Sequence, residues 1–205
     1  MASTPALEQQ ELYGGALTVH IPEGWLDTEE FMEMVQRPVP DNQEIFVAPA
    51  SADGKEASKP LSLFIDVLES ADGDCPDMAE APRFHGIEIL KRDERAAEAE
   101  SLSRAAAFPV ELPPAVIAGG GDGIDTKAAV FEEAMLEVCV VRIPAHETDL
   151  VFSLHGRVGN SNESEASCPP LAALVATLSV ENWGLFGGGD EGEGEGEEMP
   201  RYLGS

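Results

Sequence analysis

The amino-acid sequence predicts an α+β protein built around a mainly antiparallel sheet. Two β-prone runs, at residues 138–143 and 150–158, are separated only by a turn at residues 144–149, which predicts an antiparallel hairpin. The run at residues 61–69 is mostly apolar on both faces, which is typical of a strand in a sheet covered on both sides. Apolar residues recur at helical spacing between residues 171 and 178, which predicts a helix packed on that sheet.

Length and composition indicate one globular domain. The chain has 205 residues, of which 43% are hydrophobic, so it can bury a core. We expect residues 1–10 to form a flexible N-terminus, residues 11–186 to form the domain, and residues 187–205 to form a disordered acidic Gly/Glu tail. The net charge is −27, and the tail accounts for only −5 of it. The domain itself is therefore acidic, which favours basic partners and argues against binding to nucleic acid or anionic membranes.

The first part of the domain is expected to alternate strands with one short helix. Apolar side chains at every second residue between Leu17 and Ile21 predict a strand. Asp27 or Thr28 can cap a short helix over residues 29–35. Two prolines at positions 38 and 40 end that helix, and the apolar run over residues 45–47 predicts the next strand.

The middle of the chain is less regular. Residues 77–91 predict a bent helix, and residues 92–106 predict an exposed helical segment because their pattern is only weakly amphipathic. Three prolines within residues 108–117 restrict any strand there to a sheet edge. Helix propensity favours a helix over residues 128–136 before the β-prone run at 138–143, but a single long strand is an alternative.

Motifs for catalysis and cofactor binding are absent from the sequence. The Gly119–Gly123 run lacks the Gly-Lys-Ser/Thr ending of a phosphate loop, so we interpret it as a flexible loop. The four histidines and three cysteines do not occur at metal-ligand spacing, and no Gly-x-Ser-x-Gly elbow occurs. We therefore expect no catalytic residue, no metal and no cofactor. The first residues do not resemble a signal peptide, and no apolar run reaches membrane-spanning length, so we expect an intracellular protein without a membrane segment.

Acidic residues at turn and strand boundaries are the best candidates for a binding site. Asp41 and Asn42 are turn formers that follow Pro40, and Glu44 comes directly before the apolar run at 45–47. Such a turn displays carboxylates to a charged partner, although a polar connecting turn is the alternative.

A second set of acids lies at the predicted strand over residues 61–69. Asp66 interrupts the apolar run and is either solvated near the strand end or placed for a partner, and Glu69 closes the strand. Together with Asp27, these acids suit ion pairing with Lys or Arg of a protein partner. The alternative is a solvated acidic face.

Several blocks follow one another in a characteristic order between residues 11 and 186. They are Leu12-Tyr13-Gly14-Gly15-Ala16, Pro22-Glu23-Gly24 with Asp27, Val39-Pro40-Asp41-Asn42-Gln43-Glu44-Ile45-Phe46-Val47, Leu63-Phe64-Ile65-Asp66-Val67-Leu68-Glu69, Phe84-His85, and Val141-Arg142-Ile143 followed by Thr148-Asp149-Leu150-Val151. This order resembles the Ran guanine nucleotide release factor family, and the block around Asp41 is its most specific part.

The resemblance implies an α/β/α sandwich around an antiparallel sheet of about six strands, a fold shared with the PsbP proteins, and it favours strand over residues 130–143. It also implies a non-catalytic, monomeric regulator that binds the small GTPase Ran in the nucleus and cytoplasm and promotes loss of its bound nucleotide. The residues that match the family's Ran-binding positions are Asp27, Asp41, Asn42, Gln43, Glu44, Asp66 and Glu69.

The chain departs from the family pattern in three places. The segment between Asp27 and Val39 is longer, the region over residues 92–126 diverges, and the Glu/Gly tail is extra. The first departure lies beside the implied site. Two other hypotheses stay open at this point: a PsbP-like binding or assembly module with another protein partner, and an enzyme that uses a carboxylate pair in a cleft.

Overall fold

A computed structural model describes residues 6–28, 39–49, 61–102, 106–156 and 169–186. The predicted helix over residues 29–35 and the acidic tail over residues 187–205 lie outside these residues. Within the described residues the strands are β1 (Leu7–Leu12), β2 (Leu17–Pro22), β3 (Leu26–Asp27), β4 (Gln43–Val47), β5 (Ser62–Glu69), β6 (Phe108–Pro109), β7 (Asp125–Phe131), β8 (Leu136–Ile143), β9 (Thr148–His155) and β10 (Ser179–Val180). The α-helices are α1 (Ala81–Arg92), α2 (Ala96–Ser101), α3 (Pro114–Gly119) and α4 (Leu171–Val175).

The strands of the described residues form two sheets. The larger sheet has seven strands in the order β3-β4-β5-β9-β8-β7-β6, and every neighbouring pair is antiparallel. The smaller sheet has three strands in the order β1-β2-β10. The predicted α+β class with a mainly antiparallel sheet is confirmed. The main sheet has seven strands where about six were expected, and its edge strands β3 and β6 have only two residues each.

Tight turns connect the long central strands. The β7–β8 and β8–β9 turns are both a short 3₁₀ helix followed by one residue in the left-handed region, Met135 in the first and Glu147 in the second. The predicted hairpin of β8 and β9 is therefore present. Residues 125–131 form strand β7, so the helix that propensity favoured over residues 128–136 is absent. The strand that the family resemblance favoured over residues 130–143 is present, but the turn at residues 132–135 divides it into two strands.

A hydrophobic core lies on each face of the main sheet. On one face, α1 and α2 pack on Val138, Val140 and Val151. On the other face, the smaller sheet together with α3 and α4 packs on Ile65, Cys139 and Phe152, among others. The sheet is thus covered on both sides, as the apolar β5 pattern predicted, but one covering layer mixes helices with a second sheet.

Two sequence-based expectations are wrong in part. Residues 7–10, expected to belong to a flexible terminus, form most of β1 and pair with residues 19–22 of β2. The pairing uses main-chain hydrogen bonds at a sheet edge, which require no apolar side chains and so left no hydrophobic pattern in the sequence. The segment expected to be an exposed helical excursion contains α2, and Ala99 in this helix and Leu102 directly after it are buried against the α1 core.

The end of the described chain is held by an aromatic contact. The indole of Trp183 packs against Gly119 and Gly120 so closely that a Cβ atom at Gly119 would lie 2.3 Å from Trp183 Nε1. The indole also stacks on the imidazole of His146, with the two ring centroids 5.5 Å apart. The glycines that resembled a phosphate loop are therefore needed for packing. None of the helices in the described ranges combines the length and apolar character needed to cross a bilayer.

Candidate functional site

The turn that leads into β4 is anchored to β5 on both its main chain and its side chains. The carbonyl of Pro40 accepts a hydrogen bond from the Gln43 amide at 2.9 Å. The main-chain carbonyl of Asn42 accepts a hydrogen bond from the Val67 amide at 2.9 Å, and the side-chain amide of Asn42 donates to the Val67 carbonyl at 3.1 Å. Asp41 and Asn42 are both exposed. The turn therefore presents two polar side chains to solvent from a backbone that has little freedom to move.

Tyr13 lies in the turn between β1 and β2. It supports the turn before β4 from the face of the main sheet that the smaller sheet covers. Its hydroxyl donates to the carbonyl of Ile65 at 2.7 Å and lies 3.2 Å from the carbonyl of Asn42. Its backbone amide donates to Glu44 Oε1 at 2.7 Å. Burial, followed by the charges of Asp66 and Glu44, raises the pKa of Tyr13, so the phenol stays protonated and keeps its donor. The smaller sheet is in this way tied to the candidate site.

Asp66 is buried next to this turn. Antiparallel pairing places it opposite Gln43, whose side-chain amide donates to Asp66 Oδ1 at 2.5 Å. The same oxygen lies 3.4 Å from Nη1 of Arg92, the last residue of α1. Burial raises the pKa of Asp66 even though Arg92 and Gln43 both favour its charged form. Of the two alternatives for Asp66, the solvated one is excluded because only 3% of the residue is exposed.

The seven predicted site residues divide into an exposed and a buried group. Asp41, Asn42 and Glu69 are exposed, and Asp27 is partly exposed. Gln43, Glu44 and Asp66 are buried.

The two buried carboxylates point to opposite faces of the main sheet, because side chains alternate along β4 and β5: Asp66 faces α1, whereas Glu44 faces Tyr13. They do not form one patch. Asp41, Asn42 and Glu69, in contrast, lie at the same end of the β4–β5 pair.

A second ionic cluster supports the same end of the sheet, and sequence reasoning did not find it. Arg142 donates from Nε to Asp149 Oδ1 at 2.7 Å and from Nη2 to Oδ2 at 2.8 Å, and both side chains are at least 95% buried. His85 Nε2 lies 3.0 Å from Asp149 Oδ2. Burial alone would raise the pKa of Asp149, but the hydrogen bonds from Arg142, His85 and the Ala71 amide hold it well below its usual range.

This cluster fixes the chain that follows Glu69. Arg142 Nη1 donates to the carbonyl of Cys75 at 2.8 Å, and Ser70 Oγ lies 3.3 Å from Asp149 Oδ1. The Ser70 amide also donates to the Glu147 carbonyl at 2.7 Å. In the sequence, Arg142 interrupts a β-prone run, and His85, Arg142 and Asp149 stand in the blocks quoted for the family resemblance. Their pairing left no periodic pattern, because an ion pair between strands requires none.

A line of Ser, His and Asp side chains lies at the opposite end of the sheet. Ser153 Oγ is 3.1 Å from His155 Nε2, and His155 Nδ1 is 3.9 Å from Asp93 Oδ2. A cavity of about 280 Å³ opens beside His155. Ser153 itself is completely buried and does not line this cavity, so its hydroxyl is closed to a substrate. Burial lowers the pKa of His155 to about 4, which makes it a poor base.

The described ranges contain no evident metal-binding site. No group of three or more His, Cys, Asp or Glu side chains is arranged there to hold a metal ion. Cys75 and Cys139 are buried free thiols, and burial raises the pKa of both. Asp41, Asn42 and Glu69 expose polar and acidic side chains at one end of the main sheet, which we name the acidic end.

Two proteins of known name are similar to this chain in sequence. The chain is 26% identical over 174 residues to the nuclear import protein MOG1 of Saccharomyces cerevisiae, covering 81% of this chain and 73% of that protein. It is 25% identical over 190 residues to the human Ran guanine nucleotide release factor, covering 86% of this chain and 95% of that protein.

A solved structure is also similar to this chain. The crystal structure of the S. cerevisiae Ran-binding protein Mog1p matches with a TM-score of 0.55 at 22% identity, over 89% of this chain and 100% of that one, and so shares the fold. The family model described as Ran-interacting Mog1 protein matches residues 10–156, which is most of the domain. The chain therefore belongs to the Ran-interacting Mog1 family.

Proposed function

We propose that this protein binds the small GTPase Ran through the acidic end of its main sheet and promotes release of Ran's bound guanine nucleotide. In this role it regulates nuclear transport as a non-catalytic monomer that is present in the nucleus and cytoplasm. Family membership supports Ran as the partner, since the relatives are named for Ran interaction, nuclear import and nucleotide release.

The observation that carries the proposed surface is the anchored turn. Asp41 is exposed on a backbone that Asn42 and Tyr13 hold against β5. Glu69 emerges at the same end, and the Arg142–Asp149 cluster holds the chain that follows it. Two carboxylates on rigid supports pair with basic side chains of a partner at little further cost in conformational entropy.

Nucleotide release follows from binding by thermodynamic linkage. If this protein binds nucleotide-free Ran more tightly than nucleotide-bound Ran, it must lower the affinity of Ran for nucleotide by the same factor. No covalent step on the nucleotide is required. The carboxylates act by pairing with cationic groups of Ran that otherwise hold the phosphates or order the surrounding loops.

Charge reversal at the acidic end tests the proposed surface. We expect Asp41→Lys combined with Glu69→Lys to weaken Ran binding by about 2 kcal/mol, or roughly thirtyfold, because two favourable pairs become repulsive. The rate of nucleotide release should fall with it. Titration calorimetry and release of a fluorescent nucleotide measure the two effects.

A matched control separates this surface from net charge. Glu132→Lys combined with Glu133→Lys changes the charge by the same amount in the β7–β8 turn, at the opposite end of the sheet. We expect these substitutions to have a small effect that disappears at high salt. Equal losses of Ran affinity in the two double variants would reject the acidic end as the interface. If the wild-type protein leaves the rate of nucleotide release from Ran unchanged, the proposed activity is rejected.

A further inference from the structure

The last residue of α1 places a cation on the buried acid beside the acidic end. Arg92 Nη1 is 3.4 Å from Asp66 Oδ1. The guanidinium side chain is 47% exposed, whereas the Asp66 side chain is 4% exposed. The ion pair therefore joins a buried anion to a cation that reaches it from the surface of the protein.

This contact is weak by its geometry. The distance is long for a charge-assisted hydrogen bond, and only one nitrogen of Arg92 makes it. The same guanidinium is also drawn to Asp93, whose Oδ1 lies 3.7 Å from Arg92 Nε. A half-exposed pair of this kind contributes little to stability, so another cation can replace Arg92 beside Asp66 at low cost.

Asp66 keeps a partner when Arg92 leaves, but it loses its counter-charge. Gln43 holds Oδ1 at 2.5 Å from β4 and is itself neutral. A buried carboxylate without a nearby cation is unfavourable, and burial already raises the pKa of Asp66. The carboxylate of Asp66 is therefore stabilised by a cation beside it, which a basic side chain of a partner can supply.

The position of Asp66 makes such an exchange geometrically reasonable. Its strand partner Gln43 follows directly after Asn42, and Asp41 and Asn42 are exposed in the anchored turn. A protein bound to that turn lies next to the place where Arg92 meets Asp66. A lysine or arginine of that protein can then take the position of the Arg92 guanidinium.

We propose that Arg92 is an internal competitor that occupies the carboxylate of Asp66 in the free protein and is displaced by a basic side chain of the partner. The proposal rests on the Ran-binding function proposed above and adds to it a residue that limits affinity. Arg92 is in this view a positioning residue for Asp66 and opposes binding. Its removal strengthens the complex.

The test compares Arg92→Gln with Lys91→Gln in binding to Ran. Both substitutions remove one positive charge from the last turn of α1, but Lys91 pairs with Glu88 and makes no contact with Asp66. Affinity for nucleotide-free Ran is measured at pH 8, on the alkaline side, because burial raises the pKa of Asp66. We expect Arg92→Gln to bind roughly two- to fivefold more tightly, the scale of one half-exposed ion pair, and Lys91→Gln to bind like wild type. A gain in affinity cannot result from damage to the fold.

A double-mutant cycle assigns the gain to Asp66. Arg92→Gln in an Asp66→Asn background is expected to give no gain, because the competition has been removed. A gain that persists in that background, or one that Lys91→Gln reproduces, would overturn the proposal, as would unchanged or weaker binding of Arg92→Gln. If neither wild type nor Arg92→Gln binds Ran in any nucleotide state, both the proposed function and this inference fail. If wild type binds Ran but Arg92→Gln binds no more tightly, only this inference fails.

Discussion

Two arginine–aspartate pairs lie on the same face of the main sheet, beneath the same helix, and they differ in nearly every physical respect. Arg142 and Asp149 are joined by two short hydrogen bonds, and both are buried. Arg92 and Asp66 are joined by one long contact, and the arginine is half exposed. The first pair is part of the fold, whereas the second can be exchanged. An acid in an apolar strand therefore has to be interpreted through the geometry of its cation.

Removing the acid from the buried pair should have the largest effect. We expect Asp149→Asn to lower the free energy of unfolding by about 3–5 kcal/mol, because the Arg142 charge would remain buried without its counter-charge. His85 and the Ala71 amide would lose the same carboxylate. Urea denaturation followed by circular dichroism measures the loss.

Asp66→Asn is the matched substitution in the exchangeable pair. It removes the same charge, yet we expect the free energy of unfolding to change by less than about 1 kcal/mol, since half-exposed pairs contribute little. The asparagine oxygen can still accept from Gln43. A loss as large as that of Asp149→Asn would show that both pairs are structural and would remove the contrast between them.

As the pH falls, the two aspartates should change the stability of the protein in opposite directions. The pKa of Asp149 is lowered in the folded protein, so its contribution is present above the unfolded value of about 4 and is lost as the pH falls below it. The pKa of Asp66 is raised, so protonation below that raised value favours the folded state.

The two variants should therefore change the acid limb of the stability curve in opposite directions. Between pH 5 and pH 3, Asp149→Asn should lose less stability than wild type, and Asp66→Asn should lose more. Denaturant midpoints measured at half-unit pH steps test this. Parallel curves for the two variants would contradict the assigned shifts.

The smallest expected effect concerns the end of α1 that carries Arg92. The Arg95 amide donates to the Leu90 carbonyl and the Glu94 amide to the Lys91 carbonyl, which is a Schellman motif with Glu94 in the left-handed region at φ 60°. Glycine is favoured at such a position, so Glu94→Gly should raise the free energy of unfolding by about 0.5–1 kcal/mol. Thermal denaturation measures the gain, and Ran binding should be nearly unchanged because the Arg92–Asp66 contact is left intact.

The sequence predicted the parts of the fold that have a local pattern. Strand β5 and the β8–β9 hairpin were found because their apolar side chains recur along the chain. Strand β1 was missed because an edge strand held by main-chain hydrogen bonds needs no such pattern. Local helix propensity left the region of β7 open between helix and strand, because propensity does not include the tertiary contacts that decide for strand.

For the candidate site, the sequence located the segments but not the direction of their side chains. It placed Asp41 and Asn42 in an exposed turn, which the structure confirms. It could not show that Glu44 and Asp66 are buried on opposite faces, since that depends on how β4 and β5 pair. Tyr13 and Arg92 reach the site from elements distant in sequence, and only the three-dimensional arrangement identifies them.

The pairing of β5 with β9 at the centre of the sheet also determines how the chain folds in time. Ser62 pairs with His155, so strands from separate halves of the chain must meet before either face of the sheet can be covered. Closing so long a loop costs entropy before any stabilising contact repays it, and proteins rich in such contacts fold slowly. We expect the β7–β8–β9 meander to form early and the docking of β5 to limit the refolding rate. Stopped-flow refolding of β5 variants should then show slower folding rather than faster unfolding.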